Sequence, residues 1–289
     1  MRITNNMSLP QPFVSAVERD YEYKDKRYSA TAVMKGVREA ILQRRHDSEI
    51  ECDAADMVWA IFGTAVHSIL EQGEGTSSQV KETKLVVPMQ NGYALSGVFD
   101  LYDEETGTVT DYKTASVWKV KFGEFDDWRT QTLIYCWMLR QLGHEASRGD
   151  VVALLKDHSK TKAKIGEHPP TPVFKIGWDF SDGDFDDIGR WLEARFEEIE
   201  RCEGLPDEEL PLCSDDERWH KPGKYAVMKK GRKSAVKLYD DKDEAEVRAE
   251  IEGSGYYVES RPGEDRKCAE YCSAAPFCSH YREMMADGD

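Results

Sequence analysis

No stretch of this 289-residue chain is long and apolar enough to cross a bilayer, which takes about 20 predominantly apolar residues. Its first residues, MRITNNMSLPQPF, lack the apolar core of a secretory signal, and there is no internal repeat or low-complexity tract. These absences exclude membrane-spanning and solenoid classes, and lead to the expectation of a cytoplasmic protein with no membrane partner. Excess positive charge is missing too: 39 Lys and Arg face 55 Asp and Glu, a formal net charge of -16. Phosphate binding is carried by Lys and Arg, so overall charge argues against a polyanionic partner. The seven cysteines are odd in number and follow no secretory signal, which points to a reducing compartment and to metal ligation before disulfides.

What is present suffices for a substantial core, with 40% apolar residues and a mean hydropathy of -0.65. Charge is also unevenly spread. Lys156 to Lys164 and His220 to Lys237 are basic, whereas Asp179 to Glu200 and Asp207 to Glu217 carry the acid. A metal-centred acidic cleft bordered by such basic strips can hold a polyanion, although each strip taken singly reads as a solvated face.

The periodicity predicts an α/β protein. Residues 1–27 read as a poorly ordered or docking arm. Tyr28-Ser29-Ala30-Thr31 then precedes one N-capped helix through Val33, Val37, Ile41 and Leu42, ending near Arg44 to His46. A second helix spans 54–72, with Trp59, Phe62, Val66, Ile69 and Leu70 as its buried stripe and Gly73 as its stop. Strands are expected at 80–87, 93–102 and 108–114, then a helix over 126–142 capped by Asp126 or Asp127 and ended by Gly143. Strands at 151–155 and 173–180 and an acidic helix at 185–199 complete a mixed sheet flanked by helices. From residue 211 the character changes to a basic β-β-α insert, about 222–252, and a cysteine-rich end. Cys136 and Cys202 fall within helices and read as packing residues.

The stretch GVFDLYDEETGTVTDYK, from Gly97 to Lys113, organises the rest. Two β-type runs flank an acidic, Gly-containing break, the pattern of a hairpin. With Glu104 to Gly107 as a four-residue loop, Asp103 faces Thr108 and Asp100 faces Asp111, with Cβ atoms roughly 5 Å apart. Alternation places Lys113 on the same face and Tyr112 on the other. Facing carboxylates repel unless a divalent cation offsets the charge, which leaves the lysine to orient or deprotonate water. The alternative is a solvated acidic hairpin, and a loop one residue longer or shorter would separate the two aspartates. On the preceding helix His67 and Glu71 are four apart, as are Gln131 and Tyr135 on the following one, so each pair shares a helix face.

His67 on a helix, Asp100 at the end of one strand, Asp111-Tyr112-Lys113 on the next and Gln131-x-x-x-Tyr135 on the following helix resemble the PD-(D/E)XK nuclease superfamily. More narrowly, they resemble its RecB-like exonuclease branch, which includes CRISPR-associated cysteine-cluster nucleases and related phage exonucleases. The resemblance implies a restriction-endonuclease-like core over 28–210 and a C-terminal region over 211–289. It implies that His67, Asp100, Asp111 and the Tyr112 carbonyl bind Mg²⁺ or Mn²⁺. Lys113 is then the catalytic lysine, and Gln131 and Tyr135 hold that lysine and the nucleic-acid backbone near the metal. Glu71 has no firm role in the family and is expected to support His67.

The implied activity is metal-dependent DNA exonuclease action in phage or bacterial recombination or repair, with recombination or replication proteins as partners. The rival reading is a non-catalytic DNA-binding or assembly factor that keeps the fold. Three clustered cysteines, Cys268, Cys272 and Cys278, need a fourth for a [4Fe-4S] cluster or for Zn²⁺. In the family that ligand lies near the N-terminus, where Lys35 to Arg38 offer no cysteine. Cys213, which opens the C-terminal region and would clip the basic insert to the C-terminus, is the expected fourth ligand, with Cys52 as the alternative. Lys224, Lys229, Lys230, Arg232 and Lys233 of the insert are expected to contact nucleic acid.

Overall fold

The computed structural model describes residues 1–18 and 23–286, and the chain divides into two compact units, Met1–Leu205 and Pro206–Asp289. No helix of the described residues is long and apolar enough to cross a membrane. In the first unit the N-terminal arm contains a strand, Arg2–Thr4, that pairs in parallel with Glu51–Asp53. The arm also contains a helix, Gln11–Val17, that buries Val14 and Val17 beside Ala54.

The main elements that follow in this unit, in chain order, are β1 (Arg27–Ser29), α1 (Ala30–Val33), α2 (Val37–Arg45), α3 (Val58–Gln72), β2 (Gln79–Pro88), β3 (Ala94–Asp103), β4 (Thr108–Ala115), α4 (Val117–Phe122), α5 (Asp126–Gln141), β5 (Arg148–Leu155), β6 (Val173–Asp179) and α6 (Asp182–Glu203), with a short helix, Lys160–Lys164, between β5 and β6. Ser29 caps α1 through a hydrogen bond from the Ala32 N–H. The single helix expected here is two, because Gly36 has ψ 140° and restarts the chain as the residue before α2.

The six-stranded sheet is mixed, as the alternation of strands and helices predicts. β3 is its hub. It pairs antiparallel with β2 along one edge; its other edge pairs with β1 from Ala94 to Ser96, then with β4 from Leu101 to Asp103. The expected hairpin register holds, with Asp103 opposite Thr108 and Leu101 opposite Thr110. Beyond Leu101 the ladder between β3 and β4 ends, so Asp100 and Asp111 stand where two strands part. β4 runs parallel to β5 across the α5 crossover, and β5 pairs antiparallel with β6.

α5 packs deeply into the unit, with Leu133, Ile134, Tyr135, Cys136, Met138 and Leu139 all buried. Neither Asp126 nor Asp127 caps it. Phe125 is its N-cap, and both acids lie in the first turn, where they favour the positive helix end. α6 begins with a capping box between Ser181 and Asp184 and buries Phe185, Ile188, Leu192, Phe196 and Ile199. Cys136 and Cys202 are both buried within their helices.

α3 departs from expectation. Its first turn, Ala54–Met57, is a separate 3₁₀ turn, and none of its residues is buried. Trp59 is 57% exposed, Phe62 41% and Ile69 69%, while Val66 and Leu70 are half-buried, so most of the expected core stripe faces solvent. The helix meets β4 through Gly63 instead, where an added Cβ would stand 3.7 Å from Thr114 Oγ1.

The second unit contains a three-stranded antiparallel sheet of β7 (Lys224–Lys229), β8 (Lys237–Tyr239) and, after helix α7 (Lys242–Glu252), β9 (Tyr256–Arg261). β7 is central, and Val227 packs with Ala245 and Ala249 of α7. The β-β-α insert thus acquires a third strand, which covers the edge of β7 that a two-stranded insert would leave open.

Candidate active site

The parting of β3 and β4 leaves backbone groups that the ladder no longer satisfies, and side chains take over. Asp100 Oδ2 accepts the Tyr112 N–H at 2.6 Å, and Asp100 Oδ1 lies 3.1 Å from His67 Nδ1 of α3. The hydrogen bond from His67 to Asp100 raises the imidazole pKa, against the opposing effect of burial. Asp100 therefore ties together α3, β3 and β4.

Asp111 and Lys113 share a face, and their side chains meet: Lys113 Nζ is 2.8 Å from Asp111 Oδ2. Gln131 closes the arrangement. Its Oε1 accepts from Lys113 Nζ at 2.8 Å, and its Nε2 donates to Asp111 Oδ1 at 3.1 Å and to the Tyr135 hydroxyl at 3.4 Å. Asp111 is 3% exposed, and burial pushes its pKa up while the Lys113 charge opposes that push. Burial also raises the Tyr135 phenol to about 12, so its hydroxyl stays neutral. Tyr135 reaches the site because Gly97 of β3 has no side chain; a Cβ there would lie 2.6 Å from Tyr135 Cε1.

One residue in this region escapes sequence reasoning. Glu82 on β2 offers a carboxylate oxygen that groups with ligand atoms of His67 and Asp100, all within 4.8 Å of one another. Lys81 pairs with Leu101 and Thr83 with Phe99, which leaves Glu82 opposite Asp100. Its φ of +45° is unusual for a residue with a side chain and interrupts the ladder there. Burial raises the Glu82 pKa first, and the charges of Asp100 and Glu71 add to it. Only the β2–β3 register reveals this residue, since KETK by itself reads as a solvated strand.

Glu71, one turn beyond His67, is exposed. The donor set suits a hard divalent cation: one imidazole, two carboxylates, and the buried Asp111 carboxylate, whose Oδ2 stands 2.8 Å from the Lys113 ammonium. Asp111 feels the charges of Asp100 and His67, so the two halves of the site are coupled.

A model of the PD-(D/E)XK nuclease superfamily matches residues 74–279. The chain belongs to that superfamily. The match spans β2 through the last cysteine and includes the hairpin aspartates, Lys113, Gln131 and Tyr135 of this PD-(D/E)XK protein; His67 precedes it. No curated protein matches the chain. Among solved structures it is similar to SSO0001, at 16% identity and a TM-score of 0.45, covering 61% of this chain and 78% of that one. It is also similar to an alkaline exonuclease from Laribacter hongkongensis, at 16% identity and a TM-score of 0.40, covering 61% and 89%. A phage-related exonuclease from Haemophilus somnus 129PT shares 10% identity at a TM-score of 0.28, covering 60% and 82%.

The second unit of this PD-(D/E)XK protein holds another cluster. Buried Asp265 is hydrogen-bonded by His220 Nδ1 at 2.6 Å and His280 Nε2 at 2.5 Å, and forms an ion pair with Arg218, whose Nε lies 3.0 Å away. Although burial opposes it, hydrogen bonds from His280, His220 and Arg218 keep the Asp265 carboxyl acidic. Cys268 Sγ groups with Asp265 and His280 within 4.8 Å. Burial raises the Cys268 thiol to about 11, with Asp265, Cys213 and Cys278 adding to it, so Cys213 and Cys278 are electrostatic neighbours of Cys268. The Cys272 N–H bonds the Lys267 carbonyl at 2.9 Å. Cys52 lies on the strand Glu51–Asp53 of the first unit. The sequence reading missed His220 and His280, although His280 follows Cys278 by two positions.

In the insert, Lys224 pairs with Asp240, Lys229 lies 5.1 Å over the Tyr256 ring, and Arg232 bonds Ser234 at 3.0 Å. Lys230, Arg232 and Lys233 are exposed on the turn between β7 and β8, where Gly231 has φ +83°.

Proposed function

We propose that this protein is a divalent-metal-dependent deoxyribonuclease that hydrolyses phosphodiester bonds from strand ends, in phage or bacterial recombination or repair. The observation that carries the reading is Lys113, clasped between Asp111 and Gln131 beside the His67, Glu82 and Asp100 donors. His67, Glu82, Asp100 and Asp111 are the residues that would hold Mg²⁺ or Mn²⁺. When bound, such an ion neutralises phosphate oxygens and makes water a better nucleophile. Lys113, held between Asp111 and Gln131, orients the attacking water and stabilises charge on the phosphate through its ammonium. Gln131 fixes the lysine rotamer, and the neutral Tyr135 hydroxyl fixes Gln131 in turn. Hydrogen bonding to Asp100 keeps His67 turned toward the carboxylates.

Cys213, Cys268, Cys272 and Cys278 are proposed to hold a structural [4Fe-4S] cluster, with Zn²⁺ as the alternative; iron and zinc analysis of the purified protein decides between them. The Lys229 to Lys233 turn is proposed to contact the DNA backbone. The deciding experiment incubates end-labelled linear single- and double-stranded DNA, and closed circles, with wild type and Lys113→Ala in Mn²⁺, Mg²⁺ or EDTA. Metal-dependent loss of linear DNA with wild type alone is expected. Binding without cleavage would move the reading to an assembly factor.

A further inference from the structure

We propose that exposed aromatic and lysine side chains at the C-terminal end of β4 form a base-stacking platform that seats single-stranded DNA beside the active site. This rests on the nuclease reading above and names the form of substrate that the site takes. Trp59 and Phe62 of α3 project from a helix with no buried residue, and their rings meet edge to face at 6.4 Å and 85°. Lys156 Nζ lies 3.7 Å from the Trp59 ring centroid. On α4, Trp118 and Phe122 stack at 5.8 Å and 26°, with Lys121 Nζ 4.4 Å over the Trp118 ring. All four rings are exposed.

The placement connects these groups with the site. α3 meets β4 at Gly63 against Thr114. Helix α4 follows Ala115 directly through its cap, Ser116, and the Lys156 N–H donates to the Ala115 carbonyl at 2.9 Å. α3 and Lys156 therefore meet β4 within two residues of Lys113, about 7 Å along the strand, and α4 begins two residues further on.

The chemistry selects the occupant. Aromatic faces beside ammonium groups match a ligand that alternates flat π-systems with negative charge, as a nucleic-acid strand does. Among the described residues neither Lys121 nor Lys156 has an ion-pair partner, so both charges are available to phosphates. An apolar protein partner would have to desolvate both ammonium groups without compensation. A duplex keeps its base faces within its own stack, whereas a single strand presents them.

The test is fluorescence anisotropy of a short labelled oligodeoxythymidine in EDTA, with a duplex of equal length as comparison. Trp59→Ala/Phe62→Ala is expected to weaken single-strand binding about tenfold or more, with a smaller effect on duplex. Trp59→Phe should retain most of the affinity, and Lys156→Gln should flatten the salt dependence. Wild-type affinity in the double alanine variant, or equal losses for both DNA forms, overturns the platform. So does a wild-type dimer that Trp59→Ala makes monomeric, since the face would then belong to a second copy. The failures are separable: wild type that binds the oligomer through these rings but never cleaves in Mn²⁺ refutes the nuclease reading and leaves the platform standing.

Discussion

Replacing Gly97 by alanine tests whether the strand fork and Lys113 are mechanically linked. The new Cβ would lie 2.6 Å from Tyr135 Cε1 and 3.3 Å from its Cδ1, against an ordinary contact of about 3.4–4 Å. The ring cannot swing freely, because Tyr135 is 5% exposed within the packed face of α5. Either β3 retreats from α5 or the ring shifts by roughly 1 Å, and overpacking of this kind costs about 1–3 kcal/mol. For a unit of this size each kcal/mol lowers Tm by roughly 2–4 °C. The shift also breaks the 3.4 Å bond from Gln131 to the tyrosine hydroxyl and loosens the partner that holds Lys113. Differential scanning fluorimetry and a DNA-cleavage assay should therefore both report losses in Gly97→Ala. Tyr135→Leu in the same background should restore stability but not cleavage, because it relieves the clash without replacing the hydroxyl. A Gly97→Ala protein with wild-type Tm and wild-type cleavage would refute the linkage.

Two further substitutions probe the charges. Glu82→Gln removes a carboxylate from the His67 and Asp100 group, so Mn²⁺ should raise its Tm less than it raises that of wild type, and an equal rise would remove Glu82 from the ligand set. Lys113→Met strips the buried Asp111 carboxylate of its cation, a loss of about 3–5 kcal/mol at neutral pH. Burial already raises the Asp111 pKa, so the folded state holds its proton more tightly than the unfolded chain does. Stability from this group is then full below its unfolded pKa and declines as pH rises through the higher folded value. Urea denaturation should place Lys113→Met nearest to wild type in acid and progressively below it toward neutrality. A difference that does not vary with pH, or that shrinks as pH rises, contradicts this account.

The sequence by itself determined the pieces that depend on local pattern. A four-residue acidic loop between two β-type runs fixes the register of β3 against β4, and strand alternation then places Asp111 and Lys113 on one face. The four-residue spacing of Gln131 and Tyr135 puts both side chains on the face of α5 that approaches the strand. Only the tertiary structure decided that β3 leaves β4 at Asp100, because that depends on β1 pairing with the same edge of β3. It also brought in Glu82, whose position opposite Asp100 follows from a strand pairing that no local pattern encodes. The apolar stripe of α3 shows the limit most clearly. Helical periodicity identifies which side chains share a face, but burial depends on what lies opposite, and at Trp59 and Phe62 the opposite side is solvent. His220 and His280 meet at Asp265 for the same reason: the chain brings together 60 residues' worth of sequence only after the second unit has folded, whereas spacing along the chain reports neighbours on a single element.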